Sequence, residues 1–235
     1  MNTDMVESVE EDKSVEIATT GASQYAGKRQ RTRRRLLAAA TSVVADNGVD
    51  GATIGAIANE AGMVPGTIYH HFGGRDALIA DVVDEMVRAV GDGMRQARQA
   101  VDDPAVRIAL AGVGLFDRAM ADRDFARAFA RLLDPASGLR QLLHDQVAEV
   151  VTAGAETGRF TIPAGVDAVA VDALLAVASA AALRVAGGEL NIDARQSVAE
   201  VMLTVVGVDP TEAAQAAKEA CAMMDAVSIG TNSQS

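Results

Sequence analysis

At 235 residues, with 49% hydrophobic side chains, the chain can bury a real core, as one compact domain or as a small domain joined to a larger one. One cysteine, Cys221, leaves no internal disulfide, and the acidic N-terminus argues against a secretory signal; both fit a reducing cytoplasm. The net charge of −11 argues against nucleic acid until it is divided along the chain.

Residues 1–24 hold six acids and one base and show no helical periodicity, so they are expected as a disordered acidic tail. From Lys28 to Arg35, six of eight residues are basic, and over 25–75 seven bases face three acids. A flexible basic arm of this kind, with Arg31, Arg33 and Arg34, can track phosphates or enter the minor groove; alternatively it is a solvated helix face. The neighbouring acidic segment could compete with DNA for the arm. A first helix is expected from about Lys28 to Asp46, with Leu36, Leu37, Ala40, Val43 and Val44 on one side, ending at Asn47-Gly48.

Thr53 can cap a short second helix in which Ile54, Ile57, Ala58 and Ala61 follow the helical spacing. Gly62 supplies a turn, and a third helix starts near Pro65, where a missing N–H is harmless. Ile68 and Phe72 should then point inward, leaving Thr67, Tyr69 and His70 elsewhere, before Gly73-Gly74 ends the helix. From Arg75 the segments lengthen. Leu78, Val82, Met86, Val90 and Met94 predict one helix to about Ala100. Asp103-Pro104 opens a helix to about Met120, and Asp124 can cap the next. Further helices are expected from Leu139 to near Gly158, over Val166–Ala186, from Asp193 through Val205, and over Thr211–Ala226. Residues 228–235 read as a frayed terminus. The division is therefore a DNA-binding unit over 25–74 and a helical body over 75–227, in an all-α fold.

Short recognition helices put their N-terminal residues at base edges, here Val64, Pro65, Gly66 and Thr67. Val64 and Pro65 can only make apolar contacts such as with a thymine methyl, Gly66 permits close backbone approach, and Thr67 can meet a base or a phosphate.

The pattern Thr53-Ile-x-x-Ile-Ala-x-x-Ala-Gly62-Met-Val-x-x-Thr67-Ile-Tyr69-x-His71-Phe72, with Arg75 and Leu78 beyond, resembles the DNA-binding domain of the TetR family of bacterial transcription regulators. The resemblance covers about a quarter of the chain. It implies that Tyr69, His70, His71 and Arg75 lie at or near phosphates and that Thr53 donates to one. A packed ring for Tyr69 and a pure capping role for Thr53 stay open. Arg75 stands where the family usually has lysine, and Gly66 where many relatives carry a larger residue.

The resemblance further implies a repressor with a palindromic double-stranded DNA operator, and a homodimer built by the helices near 166–187 and 193–207. The alanines and serine of 176–182 would permit close helix approach in such a bundle. A small hydrophobic or amphipathic effector would sit among Met86, Val90, Met94, Phe116, Met120, Phe125, Phe129, Leu143 and Val147, which serve equally well as plain core.

Nothing in the sequence supports an enzyme, a cofactor or a metal site. His70 and His71 are adjacent on a helix and diverge, with no ligand cluster to complete them. The longest apolar stretch, Val166–Gly187, is broken by Asp167, Asp172 and Arg184, so no membrane span is expected. A helical protein–protein adaptor is the rival reading, and the basic arm beside an otherwise intact helix-turn-helix argues against it.

Overall fold

The computed structural model describes the backbone of residues 4–133 and 138–232, and the side chains of 27–90, 99, 101–133 and 140–226. The fold is all-α: α1 (Asp4–Gly51), α2 (Ile54–Ala61), α3 (Pro65–Phe72), α4 (Arg75–Ala100), α5 (Pro104–Ala121), α6 (Arg123–Leu132), α7 (Gly138–Glu156), α8 (Asp167–Ala186), α9 (Arg195–Val205) and α10 (Pro210–Asn232). A 3-10 turn, Ile192–Ala194, leads into α9.

Two boundaries differ from expectation. α1 begins at Asp4, so residues 4–24 are helical rather than tail. Missing periodicity argued only against a packed face; glutamate, alanine and methionine still favour helix, and no proline interrupts the run. Likewise α10 continues through Asn232, beyond the expected fraying point at 228, while 233–235 lie outside the described residues. Near its C-terminus α1 is broken by Gly48, whose φ of 72° an L-residue rarely adopts.

The short helices form where their caps dictate. Thr53 Oγ1 accepts the Ala56 N–H at 3.1 Å, opening α2, and Gly62 closes it in the left-handed conformation. Pro65 takes the first position of α3. The side chain of Asp122, not Asp124, caps α6 by accepting the Phe125 N–H at 2.9 Å. Asp122 has the extended backbone of a cap, whereas Asp124 lies inside the first turn and pairs with Arg127 at 2.5 Å.

α5 is the central strut of the body, burying residues on nearly every side against α4, α8, α9 and α10. Phe129, Leu132, Leu143, Leu174 and Leu203 are sealed in the same core. α8 is, among the described residues, the one helix long and apolar enough to cross a membrane. In this fold it packs against α5, α6, α7 and α9, and Arg140 reaches its Asp172 at 2.7 Å.

The connection into α8 is tied down at Gly207, where a Cβ would stand 2.3 Å from the Thr161 carbonyl oxygen. Arg159 joins Asp103 at 2.9 Å and also pairs with Glu212, stapling the α7–α8 connection to the starts of α5 and α10.

A candidate nucleic-acid interface and the cavities of the body

Arginines hold the three N-terminal helices in place. Arg35 donates to the Ala61 carbonyl at 3.0 Å, satisfying the C-terminal end of α2. Arg75 donates to the Ala52 carbonyl at 2.9 Å and to that of Val49, binding the α1–α2 connection to the start of α4. Arg33 pairs with Asp81 of α4, donates to the His71 carbonyl at 3.3 Å and lies over the Phe72 ring at 4.4 Å. From the body, Arg131 of α6 donates to the carbonyls of Ala45 (2.8 Å) and Asp46 (3.2 Å), and Arg127 meets the Asp46 carboxylate at 3.1 Å. Cations at helix C-termini complement the helix dipole and satisfy orphan carbonyls together.

The framework fixes what α3 presents. Ile68 is fully buried, while Val64 is 69% and Tyr69 57% exposed. Pro65, Gly66 and His70 are exposed, and Thr67 and His71 half-buried, so the N-terminal turn of α3 stands clear of the protein. Tyr69 projects into solvent instead of bridging two helices. Thr53 is exposed, and its hydroxyl oxygen serves the cap while its proton remains available. Partial burial first, then neighbouring His70, Arg29 and Arg33, holds His71 below the ordinary histidine pKa.

The structure separates the predicted basic residues into two groups. Arg31 and Arg34 are exposed on α1, as are Lys28 and Arg29. Arg33 and Arg75 instead turn their guanidinium groups onto carboxylate and carbonyl partners within the protein. The framework residues Arg35, Asp81 and Arg131 were missed. Arg131 lies more than 80 residues from its partners in sequence, and no local pattern announces such a contact.

The predicted effector residues do not converge on one chamber. Val90, Phe129, Leu143 and Val147 line an apolar void of about 40 Å³, completed by Leu174, Leu175 and Met202, which sequence reasoning did not select. Phe116 borders a second void of about 10 Å³. Met86 and Phe125 lie on a separate cleft of about 600 Å³ between α1, α4 and the α5–α6 junction, whose walls also carry Arg34, Glu85, Arg88 and Arg118. Met120 is exposed and lines none of the three, because it falls on the outer side of the last turn of α5. The Met94 side chain lies outside the described residues.

This arrangement, a short exposed helix after a glycine turn on a larger helical body, defines a helix-turn-helix domain joined to a helical body. Residues 36–82 match the model of bacterial regulatory proteins of the tetR family. The HTH-type transcriptional regulator BetI 1 of Chromohalobacter salexigens is 35% identical over 92 residues, covering 39% of this chain and 46% of that protein. The chain thus spans under half the length of that curated relative. The crystal structure of RolR in complex with resorcinol is similar over 82% of this chain and 95% of that one, with 28% identity and a TM-score of 0.52. FadR from Bacillus subtilis, in complex with stearoyl-CoA, shares the fold at 18% identity and a TM-score of 0.58, covering 74% of this chain and 98% of that one. The N-terminal segment is thus similar to the DNA-binding domain of the TetR family of bacterial regulatory proteins.

Proposed function

We propose that this chain is a cytoplasmic, ligand-responsive repressor that binds a palindromic operator as a homodimer and leaves it when a small hydrophobic effector enters the body. One observation carries the reading: α3 buries Ile68 completely and offers Val64, Pro65, Gly66 and Thr67 to a groove. Thr67 makes the polar contact, Val64 and Pro65 the apolar ones, and Tyr69, His70 and the Thr53 hydroxyl proton reach phosphates. Arg29, Arg31 and Arg34 supply the sequence-independent attraction. Arg33 and Arg75 act by positioning, since their guanidinium groups hold α3 against α1 and α4.

Dimerisation through α8 and α9 is supported by the apolar side chains these helices leave in water. Val169 is 63% exposed, and Leu183 and Val201 are each 50% exposed. Two-fold pairing would set two α3 helices about 34–36 Å apart, one turn of DNA. RolR, whose similarity extends over most of the chain, was crystallised with a small ligand, which supports effector binding in the body. An effector that prefers a different spacing of the two heads shifts the population off DNA.

The test is fluorescence anisotropy on operator fragments selected from genomic DNA. Thr67→Ala should lower affinity by about 1–3 kcal/mol with an unchanged melting temperature. Arg31→Glu should weaken binding to all sequences alike and flatten its salt dependence. If both variants bind as tightly as the parent, α3 is not the reading element.

A further inference from the structure

The two apolar voids of the body share a wall. Gly112, Leu115, Ala178 and Met202 line both the 40 Å³ void and the 10 Å³ void. No described residue lining either void has a polar side chain. As they stand, both are far below the roughly 300 Å³ at which drug-sized pockets begin. Within that shared wall, Gly112 has no side chain and Ala178 only a methyl, so neither can swing aside. Leu115 is branched and has two side-chain torsions, whereas Met202 moves most readily, because its unbranched thioether turns about three bonds. It lies in a slot that glycine makes: a Cβ on Gly112 would stand 2.7 Å from Met202 Sδ and 3.5 Å from its methyl carbon.

We propose that Met202 is a movable plug dividing one effector chamber, and that the chamber opens for an uncharged hydrocarbon group about the size of a benzene ring, seated where the thioether now lies. This deepens, and rests on, the reading of the body as effector-binding. The occupant is uncharged because a buried ion would find no donor, acceptor or counter-charge among the lining side chains. Dry apolar chambers do take up such rings. Met202 is also joined directly to Val201, which stands on the outer face of α9. Displacing the plug therefore acts on the helix proposed to face the second subunit.

The test uses the full chain labelled with 13C at its methionine methyls, titrated with toluene and, as a charged control, benzoate; the Met202 resonance is assigned from Met202→Leu. Toluene should move the Met202 methyl signal and benzoate should not. Met202→Ala should bind toluene at least about tenfold tighter by calorimetry, since the ring no longer has a side chain to displace. Met202→Leu, which keeps most of the apolar volume, should show a smaller gain and serves if the alanine variant fails to fold.

Equal toluene affinity in parent and variants, or an unmoved Met202 signal at saturation, overturns the plug. Equal binding of benzoate overturns the uncharged class, and toluene bound by none of the three overturns the chamber. The effector reading fails separately, if no small-molecule extract of the source cells releases the parent protein from its selected DNA.

Discussion

Val64 and Tyr69 stand in water on a helix of eight residues, whereas Val169, Leu183 and Val201 stand in water on two helices that otherwise fill a core. Their surroundings differ in sign. The first pair sits in a segment where bases outnumber acids; the others belong to a body where acids outnumber bases, 23 to 13 over residues 76–235. An apolar side chain among cations suits a groove walled by phosphates, and one on an acidic body suits a second apolar surface. The two regions also differ in how they are held. Both regions bury apolar side chains, Leu36, Val44, Ile57, Ile68 and Leu78 in the head among them, but the head adds guanidinium groups that donate to helix ends and fix its orientation.

The contrast breaks most visibly at the body. Val169→Glu combined with Val201→Glu puts charge on the outer faces of α8 and α9 without touching the core. Sedimentation should show monomers, melting of the monomer should change little, and operator affinity should fall by about 10²–10⁴-fold as two linked heads become one. Unchanged sedimentation would move the interface elsewhere. A smaller effect is expected where head and body meet. Arg131→Ala removes two donors from the end of α1 and should cost about 1–2 kcal/mol in denaturant unfolding. If the tie also transmits the effector signal, the variant should keep DNA affinity but respond less to effector.

The smallest effects are those of pH, and they have opposite signs in the two regions. His71 in the head is held below its ordinary 6.5, mainly by desolvation. Its contribution to stability is complete above that pH and is lost as pH falls through the lowered value. Asp117 in the body is held above its ordinary 3.8 by burial, against the pull of Arg195. Its contribution is complete below 3.8 and is lost as pH rises through the raised value. Thermal melts across pH should therefore lose one slope in His71→Gln and the opposite one in Asp117→Asn.

The head was legible wherever chemistry is local. Thr53, Gly62, Pro65 and Gly73 each act within a few residues of themselves, so caps, turn and helix ends could be read directly. Direction was not legible. Arg33 and Arg75 look like Arg31 and Arg34 in a row of bases, and only the fold reveals which guanidinium groups find carbonyls within reach. In the body the helices followed from periodicity, but the lining of its voids did not. Met202 lies on an ordinary apolar face, and its role depends on a glycine 90 positions earlier. Asp122 and Asp124 were equally good caps by composition; backbone conformation chose between them.

The most direct test of the account is the mass of the protein–DNA complex formed on fragments selected from genomic DNA, measured by light scattering at low salt. The account requires two chains on one duplex carrying a two-fold repeat, with both half-sites needed for tight binding. One chain per duplex, or no preference for the selected fragments over random DNA, would contradict it.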